Sequence, residues 1–341
     1  MPYQIRETRL RSIDEVLAVL NGKETAILTT HVNADGDGCG SEVALCSWLR
    51  ARGTEAYIVN PTPIPQSLRF LVPNDSWIVD ARSPEAREVC DGGDIAIVLD
   101  TGEVSRIGRT RQLIDGLETV VIDHHPKGDR PIAGVSLRDS TAGATGELVF
   151  DLIHRAGGPW PEDANLPMYV AILTDTGGFR FSNTTHTCLR IAAELVERGV
   201  SPDETYRRIY GTSPQRRIQL LQATLASLEV DETARVAWMT ISNNEYDAVK
   251  AVPDDLEGFV DYPRSIENVE VGLLFRKIVR KGIKVSFRSN GAVDVNSLAR
   301  RFGGGGHVRA SGALIKGTLD QVRHDVVQAA REAVELLPVV L

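Results

Sequence analysis

Thr119-Val120-Val121-Ile122-Asp123-His124-His125 runs from a short β-branched stretch straight into a carboxylate and two imidazoles. The same shape recurs upstream. Thr25 to Thr30 leads into His31-x-x-x-Asp35-x-Asp37, and Asp94 to Asp100 ends in a carboxylate, with Ala56 to Asn60 between them. These runs are too short and too uniformly apolar for half-exposed antiparallel strands, so they read as buried parallel strands. Ser41 to Arg50, Gly146 to Arg155 and Thr185 to Glu197 place apolar residues at helical spacing, for example Val43, Cys46 and Leu49. Strand, helix, strand is the doubly wound α/β pattern, whose ligands bind off the carboxyl ends of the strands.

The acidic and imidazole residues follow those ends. Asp175 adds a fourth cluster, standing after Ala171-Ile172-Leu173-Thr174 and before Gly177-Gly178. A lone Asp-x-Asp-Gly is most often a turn, and a lone Asp-His-His can be a strand end with a capping Asp. Four clusters together favour a metal site. The loop Asp35-Gly36-Asp37-Gly38 lacks the later acidic positions of an EF-hand, and a carboxylate-rich set without cysteine does not suit structural zinc. Such a set suits two divalent ions, Mn²⁺ first, with Mg²⁺, Co²⁺ or Zn²⁺ as alternatives. The glycines are expected to let the loop aim both carboxylates without steric cost.

The 341 residues, 42% hydrophobic and 25% charged, have room for two globular domains. No apolar run of membrane length is present and the first residues are charged, which reads as a cytoplasmic protein without a leader. Cys39, Cys46, Cys90 and Cys188 form no C-x-x-C pair and read as reduced thiols. Net charge of −8 argues against coating long duplex nucleic acid. Between Glu270 and Lys316, however, ten basic residues face two acidic ones, a local balance of +8. That basic stretch includes Gly303-Gly304-Gly305-Gly306 followed by His307, Arg309 and Ser311. Consecutive glycines can bring backbone amides to an anion, and the three side chains add donors; a flexible loop is the plain alternative.

Three segments follow: residues 1–189 as the metal-binding catalytic domain, 190–228 as a helical connector, and 229–341 as a smaller α/β substrate-binding domain. The connector carries two helix starts, Ser201-Pro202 and Ser213-Pro214, each expected with Pro at the first helical position. In the last segment Arg235 to Ile241, Val269 to Phe275 and Ile283 to Phe287 read as strands, and Asn296 to Phe302 and Leu319 to Leu337 as helices.

His31-Val-Asn-Ala-Asp35-Gly-Asp37-Gly-Cys-Gly-Ser41, Val98-Leu-Asp100-Thr-Gly, Val121-Ile-Asp123-His-His125-Pro and Thr174-Asp175-Thr-Gly-Gly-Phe-Arg-Phe-Ser-Asn-Thr resemble the four motifs of the DHH phosphoesterase superfamily. Phe302-Gly-Gly-Gly-Gly-His307-Val-Arg-Ala-Ser311-Gly resembles the DHHA1 substrate-binding motif. The tail of the fourth motif, with Arg264-Ser265-Ile266 and Phe287-Arg288-Ser289, is most similar to the nanoRNase and pAp phosphatase subgroup.

The resemblance implies a doubly wound DHH domain, a DHHA1 domain and a homodimer. It implies that His31, Asp35 and Asp100 hold one metal and Asp37, Asp100, His124 and Asp175 the other, with Asp100 bridging. Cations about 3.5–4 Å apart make a water acidic enough to attack phosphorus. His125 would contact the scissile phosphate or assist the leaving group, Asp123 would orient a histidine or the loop, and these two with Asp100 form the expected catalytic set. Arg288, Gly304, Gly305, Gly306, His307, Arg309, Ser311 and Arg180 are the expected substrate contacts, although Arg180 reads equally as a helix-surface residue.

The implied activity is hydrolysis of oligoribonucleotides of about two to five nucleotides, pApA included, or of pAp to AMP. A cleft closed by the two domains would measure substrate length. Cyclic dinucleotides are an alternative substrate, and a non-catalytic nucleic-acid-binding module an alternative function. A RecJ-like exonuclease needs a further OB-type domain, and a family II pyrophosphatase lacks the Gly-Gly-Gly-Gly-His run. Ala34 replaces a frequent Pro without removing a ligand, and Cys39, at a helix start, is expected either as a packing residue or as a thiol of lowered pKa.

Overall fold

A computed structural model describes residues 3–231 and 235–336. Met1, Pro2 and the expected helix end at Leu337 lie outside the described residues. The chain divides into two units, Met1–Thr212 and Ser213–Leu341.

The first unit contains strands β1 (Thr25–Thr29), β2 (Glu55–Asn60), β3 (Ile78–Asp80), β4 (Ile95–Leu99), β5 (Glu118–Asp123) and β6 (Val135–Arg138). They form one parallel sheet in the order β3-β2-β1-β4-β5-β6. This is the doubly wound order, with the chain reversing direction across the sheet between β1 and β4. Its helices are α1 (Glu7–Leu20), α2 (Gly36–Ala51), α3 (Pro84–Asp91), α4 (Thr110–Leu113), α5 (Thr145–Ala156), α6 (Asn165–Asp175), α7 (His186–Glu197) and α8 (Pro202–Tyr206).

Strand alternation divides the core. Leu28, Ile97, Leu99, Val120 and Ile122 pack against α1, α2, α5, α6 and α7, whereas Ile27, Ala96, Val98 and Val121 point to the side of α3. Both faces are covered, so each buried Val, Leu or Ile contributes about 1.5–3 kcal/mol and the strands carry no polar alternation. The short edge strands β3 and β6 and the helices α1 and α6 go beyond the elements expected from sequence.

Helix α2 is buried along nearly its whole length. Its glycines serve close packing, and Gly36, Asp37 and Gly38 belong to the helix, which corrects the expectation of a tight glycine loop before it. Gly36 and Gly38 lie within the helix; a Cβ on Gly36 would stand 2.4 Å from Thr174 Oγ1, and one on Gly38 2.7 Å from Thr30 Oγ1. One on Gly40 would stand 2.4 Å from the Pro167 carbonyl of α6.

A buried ion cluster fastens α1 to the unit. Arg9, 2% exposed, reaches Asp139 Oδ2 at 2.6 Å, Glu147 Oε1 at 2.7 Å and Asp151 Oδ2 at 2.7 Å. Tyr3 donates its hydroxyl to Asp151 as well. Three carboxylates around one guanidinium leave an excess of negative charge, and burial accordingly raises the Asp151 pKa despite its hydrogen bonds to Tyr3 and Arg9.

The second unit contains β7 (Glu229–Asp231), β8 (Val236–Ile241), β9 (Val271–Ile278), β10 (Gly282–Ser289), β11 (Gly305–His307) and β12 (Ala310–Ile315), ordered β11-β12-β10-β9-β8-β7. Only the β8–β9 pairing in this sheet is parallel. Its helices are α9 (Gln215–Ala226), α10 (Asn243–Ala248), α11 (Asp261–Arg264), α12 (Val295–Arg300) and α13 (Leu319–Glu335). One sheet face, including Leu273, Phe275, Val285 and Phe287, packs on α12 and α13; the other, with Met239 and Leu274, packs on Leu220 of α9 and Phe259.

The boundary between units, at Thr212 and Ser213, falls inside the expected 190–228 connector. Ser201 caps α8 with Pro202 at its first position. Pro214, by contrast, is itself the cap residue of α9, one position before the helix begins. Among the described residues no helix is long and apolar enough to cross a membrane.

Arg9→Met should destabilise the protein by about 3–5 kcal/mol, because it strands Asp139, Glu147 and Asp151 without their cation. Gly40→Ala should cost about 1–3 kcal/mol by forcing α2 from α6. Denaturant unfolding followed by circular dichroism reads both.

Candidate metal centre

Sheet register brings the clusters together. β1 pairs with β4 up to Thr29↔Val98, and β4 with β5 up to Leu99↔Ile122, so His31, Asp100 and Asp123 leave neighbouring strands at one edge. Asp100 takes a left-handed backbone, φ 58°, which Asp tolerates better than most residues. Its amide remains bonded to the Ile122 carbonyl at 3.0 Å. Asp175 reaches the same place from the last position of α6, a helix end rather than a strand end.

Three donor groups result, each with its ligand atoms within 4.8 Å of one another: His31, Asp35 and Asp100; Asp37, His124 and Asp175; and Asp100, His124 and His125. His31 Nε2 lies 3.3 Å from Asp100 Oδ2 and 3.8 Å from Asp35 Oδ2. His124 Nε2 lies 3.6 Å from Asp100 Oδ1, 3.6 Å from Asp175 Oδ2 and 3.7 Å from Asp37 Oδ2.

The donor set fits divalent ions. His31 and His124 each set Nδ1 against a backbone carbonyl, Val32 at 3.0 Å and Ala142 at 3.3 Å. Each turns a buried Nε2 toward carboxylates without meeting a hydrogen-bond partner. Imidazoles oriented by one nitrogen and left unsatisfied at the other are arranged as metal ligands are.

The electrostatics agree. Burial and the carboxylates of Asp100, Asp175 and Asp35 hold the Asp37 pKa well above its ordinary value. Burial is also the main reason that Asp175 rises to about 6, with Asp100 and Asp35 adding to it and His124 opposing. At His31 burial disfavours the charged ring, but contacts with Asp100 and Asp35 outweigh it and lift the pKa to about 10. Like charges crowded in a buried place call for cations.

Asp35 has a second role. It caps α2, its Oδ1 accepting the amides of Asp37 at 3.1 Å and Gly38 at 3.2 Å. Asp123 belongs to none of the three groups and orients His125 of the third, accepting its amide at 3.0 Å and standing 2.9 Å from its Nδ1. Its other oxygen lies 3.5 Å from Arg138.

Several supporting residues were absent from the sequence expectations. Thr145 donates its amide to Asp37 Oδ2 at 2.7 Å and its hydroxyl to Asp100 Oδ1 at 2.9 Å, and Gly146 donates to Asp37 Oδ1 at 2.9 Å. Asn183 Nδ2 reaches Asp175 Oδ2 at 3.2 Å. The run Asp139-Ser-Thr-Ala-Gly-Ala-Thr145, small and polar before a helix, was the available signal. Cys39 is fully buried, and burial, with Glu42, Asp35 and Asp100 nearby, raises its pKa. That overturns the lowered-pKa alternative and leaves the packing one.

The expected substrate contacts lie in both units. Arg180 stands on an exposed turn after α6, not on a helix, with Nε on the Gly177 carbonyl at 2.6 Å. In the second unit, Gly305, Gly306 and His307 form β11 and pair with Gly312, Ser311 and Ala310. The amides of Gly303, Gly304 and Gly306 bond to Arg300 O, Ala299 O and Asn296 Oδ1 at 3.1, 2.9 and 3.1 Å. At those three positions the amide cradle is corrected, because the donors are already used; the glycines permit close strand contact instead, a Cβ on Gly304 standing 2.2 Å from Gly312 O. Arg288 lies 3.9 Å from Asp261, which also pairs with Arg264 at 3.2 Å, so one carboxylate serves two guanidiniums. The Arg309 guanidinium covers Gly291, and Ser311 donates to the His307 carbonyl at 2.8 Å.

Family models for the DHH family, N-terminal domain, and the DHHA1 domain match residues 25–174 and 243–336. The bifunctional oligoribonuclease and PAP phosphatase NrnA of Thermus thermophilus is 34% identical over 95% of this chain and 94% of its own length. The chain belongs to the DHH family of phosphoesterases. A protein of the same name from Bacillus subtilis is 30% identical over 88% of this chain and 92% of its own. The crystal structure of an exopolyphosphatase-related protein from Bacteroides fragilis superimposes with a TM-score of 0.90 at 27% identity, covering 98% of this chain and 99% of its own. DHH-family membership makes this chain a hydrolase of phosphoester bonds.

All four cysteines are buried and unpaired. Because burial keeps Cys39 protonated, iodoacetamide at pH 8 should leave it unmodified in the native protein and alkylate it only after denaturation. Peptide mass spectrometry distinguishes the two.

Proposed function

We propose that this protein hydrolyses oligoribonucleotides of about two to five nucleotides, pApA included, and converts pAp to AMP, using two divalent cations, Mn²⁺ first among them. The observation that carries the reading is the pair of donor groups meeting at Asp100: His31 and Asp35 on one side, Asp37, His124 and Asp175 on the other. The names of the Thermus and Bacillus relatives supply the substrate class. Cations bound there supply Lewis acidity, lowering the pKa of a water and screening phosphoryl oxygens.

The protein's own residues do the rest. Asp123, an acceptor when ionised, draws the Nδ1 proton of His125 and aims the ring. Burial opposes charge on His125, yet Asp123 and Asp100 raise its pKa, which favours the ring as a proton donor to a phosphate oxygen or the leaving group. In the second unit Arg288, with Arg264 beside it, and His307 and Arg309 supply cationic and hydrogen-bonding contacts for a terminal phosphate or base. Arg180, Gly304, Gly305, Gly306 and Ser311 stay in the proposed contact set, the glycines by keeping the backbone free of side chains rather than as an amide cradle.

The test is Mn²⁺-dependent hydrolysis of a series comprising pAp, pApA, cyclic di-AMP, inorganic polyphosphate and RNA of two to ten nucleotides, with products resolved by chromatography. Turnover should peak at the short RNAs. A metal-loaded protein that leaves every nucleotide intact overturns the reading. Asp100→Asn should lower turnover by more than about a hundredfold, since loss of mere outer supports already costs tenfold or more, while RNA binding persists. Unchanged turnover would remove Asp100 from its bridging role.

A further inference from the structure

We propose that residues 139–147 are a positioning scaffold for the metal centre, acting through Thr145 and Asn183 to hold Asp37, Asp100, His124 and Asp175 ready for an ion. This rests on the reading of those four as metal ligands. Thr145 is fully buried, and its one side chain and one amide span two carboxylates: the hydroxyl donates to Asp100 Oδ1 at 2.9 Å and the amide to Asp37 Oδ2 at 2.7 Å. A β-branched residue is stiff about χ1, so the two donors have a fixed separation, and so do the carboxylates they hold.

The same segment reaches the other two ligands. The Ala142 carbonyl lies 3.3 Å from His124 Nδ1, and the Gly143 carbonyl accepts Asn183 Nδ2 at 2.9 Å, the nitrogen that also meets Asp175 Oδ2 at 3.2 Å. The segment is itself anchored at both ends by Arg9, through Asp139 and Glu147, and Glu147 Oε2 accepts the Gly143 amide at 3.1 Å. Asp35 takes its restraint from the amides of its own helix instead. The scaffold therefore serves the group Asp37, His124 and Asp175 together with Asp100.

The test is calorimetric titration of the metal-free protein with Mn²⁺. Thr145→Val keeps the shape and removes the hydroxyl; it should weaken Mn²⁺ binding about 10–100-fold while the metal-free protein still folds and unfolds cooperatively. Thr145→Ser, which returns the hydroxyl without the β-branch, should recover most of the lost affinity. Should the valine variant fail to fold, Asn183→Ala carries the test and should weaken Mn²⁺ binding likewise. Wild-type affinity in the folded Thr145→Val protein, or in Asn183→Ala, overturns the proposal. A wild-type protein that takes up no Mn²⁺ would overturn the metal reading instead, so the two failures are distinguishable.

Discussion

Mutual repulsion of carboxylates at the carboxyl edge of the first sheet is the constraint around which the first unit is built. Asp37 and Asp100 are almost completely buried, and Asp175 stands close by. Removing like charges from water together costs several kcal/mol per ion unless each is compensated. Compensation comes from fixed donors: the amides of Thr145 and Gly146 and the hydroxyls of Thr145 and Ser41. What these leave unbalanced is the attraction for cations. The raised pKa values of Asp37 and Asp175 express the same imbalance in protons.

The sheet order explains why the charges can meet at all. With β1 and β4 adjacent and the chain moving outward in opposite directions from them, helices on both sides leave a crevice at their ends. Side chains from β1, β4 and β5 enter it from below, and α6 closes it from the side with Asp175 at its last position. That approach requires α2 and α6 to be closer than ordinary side chains allow, which is why Gly36 and Gly40 face Thr174 and the Pro167 carbonyl. The glycines of this motif thus serve close helix packing rather than a loop, and rigidity suits carboxylates that must not relax away from one another.

Much of this was legible in the residues. The four central strands read correctly because both faces are buried and their sequences carry no polar interruption. The clusters stood out because an Asp or His directly after an apolar run has few reasons to be there, and the fold brings them together. Helix α1 is absent from the sequence expectations although Ile13, Val16 and Leu20 fall on one face, because that face also buries Arg9, whose carboxylate partners are distant in sequence. The edge strand β3 has three residues and β6 four, too short for any periodicity. The roles of Thr145 and Asn183 were not legible, because hydrogen bonds that span 45 or 108 positions for Thr145, and 40 for Asn183 to Gly143, are properties of packing.

The glycine run in the second unit shows where local chemistry misleads. Four glycines before His307 invite an anion cradle, because bare amides bind anions well. An amide can serve a ligand only when it is not serving the fold, and Gly303, Gly304 and Gly306 donate to Arg300, Ala299 and Asn296. What the glycines permit is a strand lying against Gly312 and Ser311 with no side chains between. On the proposed reading, phosphate contacts in this unit therefore fall to side chains, the guanidiniums around Asp261 among them. Asp261 is shared by Arg264 and Arg288 and Glu257 adds its charge at Arg288, so a phosphate arriving there would compete with carboxylates already in place.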